Sequence, residues 1–131
     1  MARVVKVTRL GGPEHLVIAD EAPAEPGPGE LRFKVQAFAL NRADLLYMNS
    51  QHYTELQLPS RLGSEAAGVV DAVGAGVTAW QVGDRVSAVP FFSHDGRRHG
   101  VQGEFAVVPA SFVAPWPAAF SATEALSLIH I

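Results

Sequence analysis

Four residues in this chain of 131 are the candidates for acid–base or hydrogen-bonding chemistry in a site: Asn41, His52, Tyr53 and Glu65. Asn41 offers an amide at the start of a stretch with helical character, and His52 or Tyr53 could donate a hydrogen bond or a proton. Glu65 stands in a run of small residues, where burying an unpaired carboxylate would be costly. The strands and helices around these residues must bring them together.

The sequence offers little for a metal ion. It contains no cysteine, which excludes disulfides, thiol catalysis and cysteine-based metal sites. The segment from His94 to His99 is rich in charge, but its spacing suggests no third ligand, and glycine-rich loops usually carry solvated charges. We therefore expect no metal site.

A glycine-rich run from Gly63 to Val86 is the most informative pattern in the chain. It reads Gly-Ser-Glu-Ala-Ala-Gly-Val-Val over residues 63–70 and closes with Gly-Asp-Arg-Val over residues 83–86. Glycines at this density among β-branched residues indicate bends and close approach of two backbones. The spacing predicts a strand, a tight turn near Gly74 to Gly76, and a second strand from Arg85.

This run closely resembles the signature of the medium-chain dehydrogenase/reductase superfamily, in which a Gly-His-Glu triplet opens the run and its histidine binds a catalytic zinc ion. Ser64 stands at the histidine position here, and a hydroxyl is a poor zinc ligand beside imidazole or thiolate. The residues from Asn41 to Asp44 resemble the quinone-oxidoreductase pattern, at the place of the first cysteine ligand of zinc alcohol dehydrogenases. The resemblance implies the zinc-less, quinone-oxidoreductase-like branch.

The resemblance also implies roles for single residues. In those relatives the residue at Asn41 lies near the nicotinamide and the substrate carbonyl, where an amide could orient the ring or polarise an oxygen. Capping the following helix is the plainer interpretation. Tyr53 is a candidate proton donor, although His52 fits the spacing equally well and an exposed loop aromatic is the alternative. Leu46 and Tyr47 are expected to pack or to line the cofactor pocket.

Two further residues carry structural expectations. Glu65 is expected to accept hydrogen bonds or to pair with Arg85 or another cation. Residues 100–106 resemble a strand entry of the same superfamily, and Phe105 is expected to fill the core.

The remaining pattern is that of a mainly β chain. Short β-branched runs at residues 3–8 and 16–20, separated by Gly-Gly-Pro, predict a hairpin. Alternation from Leu31 to Ala39 predicts a half-buried strand, and further strands are predicted at residues 66–73, 85–89 and 103–108. A short helix is predicted from Asn41 to Asn49, with Asn41 as its N-cap. Such strands favour a closed or partly open barrel, and the resembled superfamily has a GroES-like barrel as its amino-terminal catalytic domain.

The end of the chain predicts a domain boundary. Residues from Ser121 to Glu124 have the form of a capping box, which begins a helix. We expect residues 1–125 to form the GroES-like domain and residues 126–131 to be the truncated start of a linking helix. No Gly-x-Gly-x-x-Gly turn follows a predicted strand, so we expect the Rossmann domain to be missing and the chain to be inactive alone.

Composition excludes several classes of function. The formal net charge is −3, without a Lys/Arg cluster, which argues against nucleic-acid and membrane partners, and we expect a cytoplasmic protein. The resemblance implies the substrate-side domain of a zinc-independent NAD(P)H-dependent oxidoreductase that acts on a quinone, enone or related carbonyl. NADPH or NADH would be bound mainly by the missing domain, and the full-length protein could be a homo-oligomer. A non-catalytic GroES-like binding or assembly module is the alternative.

Overall fold

A computed structural model describes residues 1–49, 57–88 and 96–125. Within these ranges the strands are β1 (Ala2–Val7), β2 (Leu16–Glu21), β3 (Glu30–Phe38), β4 (Ser60–Arg61), β5 (Ala66–Val73), β6 (Arg85–Ala88), β7 (Phe105–Pro109) and β8 (Val113–Pro115). The α-helices are α1 (Arg42–Met48), α2 (Gly96–His99) and α3 (Ala122–Ala125), and 3₁₀ turns occupy Pro13–His15 and Ala110–Phe112. No helix within these ranges is long and apolar enough to cross a membrane.

The smaller sheet contains the predicted amino-terminal hairpin. Its strand order is β2-β1-β4, and β1 pairs with β2 in antiparallel register from Ala2 opposite Glu21 to Val7 opposite Leu16. The two-residue strand β4 pairs with the end of β1 and was not predicted, because two residues show no periodicity.

The larger sheet carries the main core and has the order β7-β3-β5-β6-β8, with every pair antiparallel. Its buried apolar side chains pack into one cluster: Leu31, Phe33, Ala66, Val70, Val86, Ala88, Val101, Ala106 and Val108. In the described ranges the two sheets are linked by the isolated bridge between Val4 and Gly103, and by Glu104, whose N–H donates to the Arg3 carbonyl oxygen and whose own carbonyl oxygen accepts from the Val35 N–H. They do not close into a barrel. The prediction of a mainly β, partly open GroES-like architecture is confirmed.

Register shifts bend β3 and β5 where they approach the candidate site. The register shifts between Arg32 and Phe33, where Asp71 of β5 has no pairing partner on β3, and again between Val35 and Ala37, where Gln36 of β3 has none on β5. Each of the two strands therefore contains one bulge. Gly68 faces the second irregularity, and a Cβ there would collide with the Lys34 carbonyl oxygen. Bulges change the direction of a strand. Beyond the second bulge, the end of β3 pairs with the start of β5.

Two local expectations from the sequence differ from the structure. Gly96–His99, expected as a solvated loop, forms the short helix α2. Phe105 is only half-buried because it pairs with the exposed Lys34 and so shares its face of the sheet. The Arg32 guanidinium lies 5.7 Å above the centre of the Phe105 ring.

The capping box at the carboxy-terminal end is confirmed. The Ser121 backbone N–H donates to Glu124 Oε1 at 3.0 Å, and the Glu124 N–H donates back to Ser121 Oγ at 3.3 Å. The buried Ser87 hydroxyl donates to the carbonyl oxygen of Ala125 and so holds α3 against β6. Residues 126–131, expected as the start of a linking helix, lie outside the described ranges.

Candidate functional site

The candidate site forms where β3 ends and β5 begins. Phe38, the last residue of β3, pairs with Ala66, the first residue of β5. The next N–H, that of Ala39, donates to the Glu65 carbonyl oxygen at 3.0 Å. Antiparallel pairing therefore places Asn41, two residues further along, beside the residues that precede β5.

The side chains of Asn41, Ser64 and Glu65 form one hydrogen-bonded cluster. Asn41 Nδ2 donates to Glu65 Oε2 at 3.0 Å and to Ser64 Oγ at 3.3 Å. Ser64 is 7% exposed and Glu65 is fully buried, whereas Asn41 is partly exposed. Asn41 thus lies between the two buried side chains and the protein surface. The two sequence motifs that contain these residues are in contact in the folded chain.

Asn41 and Asp44 open helix α1, as predicted. Asn41 is the N-cap, and its backbone N–H donates to Asp44 Oδ2 at 2.9 Å. Such a carboxylate in the first turn is favourable because it satisfies a backbone donor left free at the helix start. The helix covers Arg42–Met48 with Asn49 as C-cap, close to the predicted bounds.

Sequence reasoning missed Gln102 as a member of this cluster. The Gln102 side chain is buried, and its Nε2 donates to Asp44 Oδ2 at 3.2 Å. Burial is the main cause that raises the pKa of Asp44, the bonds from Asn41 and Gln102 oppose it, and the nearby Glu65 carboxylate adds to the rise. A lone glutamine between Val101 and Gly103 carries no pattern in the sequence, so only the tertiary contact could identify it.

Helix α1 also fixes two of the predicted cofactor-pocket residues. The Tyr47 hydroxyl lies 2.7 Å from Ser60 Oγ, and its ring packs against the buried cluster of Val7, Met48 and Leu62. Leu46 is half-buried on the same helix. Tyr47 lies about 9 Å along the helix from Asn41, given a rise of about 1.5 Å per residue. The predicted residues His52 and Tyr53 lie outside the described ranges.

Glu65 accepts a hydrogen bond, as expected, but the suggested pairing with Arg85 is wrong. Arg85 is exposed, and its guanidinium lies 5.8 Å from the centre of the Trp116 ring. Within the described residues, Glu65 Oε1 has no hydrogen-bond partner. Asn41 is therefore the side-chain donor to this buried carboxylate among those residues.

The described part of the segment from His94 to His99 anchors the fold. His99 is buried, and its Nε2 lies 2.6 Å from Glu30 Oε2, while Arg98 donates to both oxygens of Glu30. These contacts, led by Arg98, lower the pKa of Glu30 to about 2. Within the described residues, no three His, Asp or Glu side chains are grouped as metal ligands would be; His94 and Asp95 fall outside those ranges.

A shallow groove of about 330 Å³ lies elsewhere, against the edges of β1, β2 and β3. Its walls include Ile18, Val35 and Phe38, with Arg3 and Glu104 at one side. None of the predicted site residues lines it, so it is separate from the Asn41 cluster.

The model of the alcohol dehydrogenase GroES-like domain matches residues 27–118 of the chain. The chain belongs to this family. The matched range contains β3 to β8 and the whole Asn41 cluster. It also contains the glycine-rich run of residues 63–86.

Relatives of this GroES-like domain include quinone oxidoreductases. That of Pseudomonas aeruginosa is 49% identical over 66% of this chain and 26% of its own length. The human synaptic vesicle membrane protein VAT-1 homolog is 34% identical over 100% of this chain and 33% of its own. Escherichia coli quinone oxidoreductase, solved in complex with NADPH, superposes on 97% of this chain and 37% of its own, with a TM-score of 0.81 and 31% identity. The chain spans about a quarter to a third of the length of the first two relatives.

The residues at the family's zinc-ligand positions do not suit zinc in this GroES-like domain. Asn41 turns amide N–H groups toward Ser64 Oγ and Glu65 Oε2, and an N–H group has no lone pair to give a metal. Zinc sites use thiolate, imidazole or carboxylate ligands, and neither Asn41 nor Ser64 supplies one.

The turn after β5 does not provide the nucleotide-binding feature of a Rossmann domain. Gly74, Gly76 and Ala79 have the loose spacing Gly-x-Gly-x-x-Ala, but the chain turns back into β6 without forming a helix. A pyrophosphate is normally bound by the N-terminus of the helix that follows such a turn. Gly74 instead makes close backbone contact, because a Cβ there would collide with the Gly27 carbonyl oxygen.

Proposed function

We propose that this chain is the substrate-side domain of a zinc-independent NAD(P)H-dependent oxidoreductase. The complete enzyme would transfer hydride to a quinone, an enone or a related conjugated carbonyl. The observation that carries the proposal is the cluster in which Asn41 Nδ2 binds Glu65 and Ser64, because it fills with amide and hydroxyl groups the positions of the zinc ligands. The names of the Pseudomonas aeruginosa and Escherichia coli relatives support the same class.

In this proposal the domain supplies one wall of the active-site cleft. Residues 1–125 form the GroES-like domain, and residues 126–131 begin the helix that links it to a nucleotide-binding domain. NADPH, preferred here over NADH because of the Escherichia coli relative's complex, supplies the hydride from its nicotinamide ring. Asn41, Leu46, Tyr47 and His52 are the residues proposed to contact the cofactor, and Tyr53 is the proposed proton donor to the substrate.

The hydride and the proton follow separate routes. The bound cofactor would supply the hydride, and an acceptor that gains it would carry a negative charge that a proton must neutralise. A hydroquinone anion can take this proton from water. The carbanion that forms from an enone needs a positioned acid, and Tyr53 is the proposed donor.

A chimera tests the proposal directly. Residues 1–131 would be joined to the remaining part of Pseudomonas aeruginosa quinone oxidoreductase, and NADPH oxidation would be followed with a quinone acceptor. We expect turnover in the parent chimera, and Asn41→Ala should lower kcat/KM by roughly ten- to a thousand-fold, the range for loss of one well-placed polar group. A folded parent that binds NADPH without turnover on any acceptor would favour the non-catalytic module.

Asn49→Ala is the matched control for this experiment. Asn49 is the C-cap of α1, and its Nδ2 donates to the Leu45 carbonyl oxygen at 3.0 Å. Its loss frays the other end of the same helix without touching the cluster. If both variants lost activity equally, Asn41 would serve only the helix.

Tyr53→Phe separates the two substrate classes. It should have little effect when the acceptor is a quinone, whose product takes protons from water. With an enone, we expect a loss of about a hundred-fold, because the carbanion depends on a positioned acid. Full activity of Tyr53→Phe on every acceptor would show that Tyr53 is not catalytic.

A further inference from the structure

The Asn41 amide has already used both of its donors. A primary amide carries two N–H donors on its nitrogen and two acceptor lone pairs on its oxygen. Asn41 Nδ2 donates to Glu65 Oε2 at 3.0 Å and to Ser64 Oγ at 3.3 Å. Both partners are buried, so the nitrogen edge of the amide points inward and has no N–H left for a ligand.

The Glu65 carboxylate decides this orientation. A carboxylate oxygen that bears no proton only accepts hydrogen bonds, so with Glu65 in that form the reverse orientation would set the Asn41 carbonyl oxygen 3.0 Å from a second acceptor. Glu65 is fully buried, and within the described residues its Oε1 has no partner. Leaving Oε2 unpaired as well would be costly. The carboxylate therefore holds the amide in one orientation.

The oxygen of the same amide is the atom that remains for a ligand. Oδ1 lies on the opposite edge of the planar group from Nδ2, and Asn41 is partly exposed while its two partners are buried. Asn41 and Asp44 form a capping box, in which the Asp44 N–H occupies at most one of the two Oδ1 lone pairs. Among residues 1–49, 57–88 and 96–125, one acceptor position of Oδ1 therefore stays available.

We propose that Glu65 is a positioning residue, which holds the Asn41 amide so that the site offers a hydrogen-bond acceptor, and not a donor, to its ligand. This inference rests on the proposed function, in which Asn41 faces the nicotinamide. The matching ligand group is an N–H donor, such as the carboxamide of the nicotinamide ring. Asn41 then orients the cofactor and does not stabilise negative charge on the substrate oxygen.

The first test uses the chain of 131 residues and no cofactor. Solution NMR would compare solvent exchange of the Asn41 side-chain amide protons with that of Gln36, an exposed amide on β3. We expect both Asn41 protons to exchange at least about tenfold more slowly, because both are hydrogen-bonded to buried partners. In Glu65→Gln this protection should fall, since glutamine can accept or donate. Asn41 protons that exchange as fast as those of Gln36 would overturn the inference.

The second test exchanges donor and acceptor in the chimera described above. Asn41→Asp alone would face Glu65 with a second buried carboxylate and should lose stability and NADPH affinity. Adding Glu65→Gln restores the contact in reverse, with the glutamine amide donating to the aspartate. The double variant still offers only acceptor oxygens at position 41. We expect it to recover KM for NADPH to within about tenfold of the parent, a difference of one well-placed hydrogen bond.

Glu65→Gln alone provides a separate readout if the double variant does not fold. The glutamine amide at position 65 can turn either way and no longer fixes the Asn41 amide. We therefore expect KM for NADPH to rise about fivefold or more with kcat within about twofold, the pattern for losing an interaction of equal strength in the ground state and the transition state. A fall in kcat at constant KM would show that Asn41 donates in the transition state and would overturn the inference. Failure of the parent chimera to oxidise NADPH would refute the proposed function, and the amide-exchange experiment would still decide the orientation.

Discussion

At the scale of single residues, the half-buried Glu30 and the buried Asp44 have pKa values shifted in opposite directions because their partners differ. Glu30 receives the guanidinium of Arg98 and a ring nitrogen of His99, and these bonds lower its pKa to about 2. Asp44 has only neutral donors, the Asn41 N–H and the Gln102 amide, so burial dominates and raises its pKa. Glu30 therefore stabilises the fold as an anion, whereas Asp44 holds the start of α1 at an electrostatic cost.

Glu30→Gln should remove most of the acid sensitivity of the fold. The folded-state pKa of about 2 lies below the usual glutamate pKa of 4.5, so the stabilisation is fully present above pH 4.5 and is lost as the pH falls toward 2. A shift of this size corresponds to at most about 3 kcal/mol in the free energy of unfolding. Denaturant unfolding between pH 2 and pH 7 would measure it.

Asp20→Asn is the control for that measurement, since Asp20 is an exposed carboxylate on β2. It should leave the slope of stability against pH unchanged. The assignment to Glu30 fails if Glu30→Gln keeps the full slope.

At the scale of elements, the bulged pair β3 and β5 sets the position of the candidate site. Two register shifts occur within one strand pair, and Gly68 lets the backbones approach where a side chain would not fit. Asn41 follows shortly after the end of β3, and Glu65 directly precedes the start of β5. The core of the sheet and the geometry of the site thus depend on the same contact.

Gly68→Ala should destabilise the domain and disturb the site together. The added Cβ would meet the Lys34 carbonyl oxygen and approach Phe33 Cδ2 at 2.8 Å. The Lys34 backbone cannot move aside as the end of a flexible side chain can. We therefore expect a loss of about 1–3 kcal/mol in the free energy of unfolding, the range for overpacking. Thermal or urea unfolding would measure it.

Gly76→Asn provides the comparison for this substitution. Gly76 has φ of +80° and open space around its Cβ position, and asparagine tolerates such a backbone conformation better than most residues. It should therefore cost much less. Equal losses at the two positions would mean that close approach at Gly68 is not the cause.

At the scale of the whole molecule, the proposed function makes the described ranges one wall of a cleft, with the Asn41 cluster at its edge. Apolar side chains near this edge are open, with Leu40 80% and Leu45 47% exposed. In the proposed complete enzyme these side chains would lie beside the nucleotide-binding domain. Ligand sites preferentially form between domains, so the proposed activity belongs to the pair of domains.

The chain should contain no zinc when purified without chelators and without an affinity tag. Asn41 and Ser64 supply an amide and a hydroxyl at the ligand positions, and zinc requires better ligands. Elemental analysis by mass spectrometry would measure the metal content. Close to one equivalent of metal per chain would refute the zinc-independent assignment.

The chain of 131 residues should neither bind NADPH tightly nor oxidise it. The turn of residues 74–79 leads into a strand and not into a helix N-terminus, so the described residues offer no phosphate-binding loop of the Rossmann type. Isothermal titration calorimetry would test binding. Micromolar affinity, or turnover with a quinone, would show that this part of the protein is sufficient.

Much of the fold could be predicted from the sequence because the relevant signals are local. The hairpin of β1 and β2, the helix α1 with Asn41 as its N-cap, and the strand of residues 66–73 follow from periodicity, capping and turn residues. The sequence does not predict β4, β8 or α2, which have two, three and four residues, because none of them is long enough to show a period.

The candidate site was predicted only in part, because its geometry depends on contacts between distant residues. The sequence by itself determined that an asparagine and a serine, Asn41 and Ser64, stand where zinc-dependent relatives have their zinc ligands. Only the tertiary structure decided that Asn41 donates inward to Glu65 and Ser64, that Gln102 joins Asp44, and that Arg85 lies over Trp116 and not beside Glu65. Hydrogen-bond direction and partner choice depend on how strands are paired and bulged, and sequence spacing does not encode these distances.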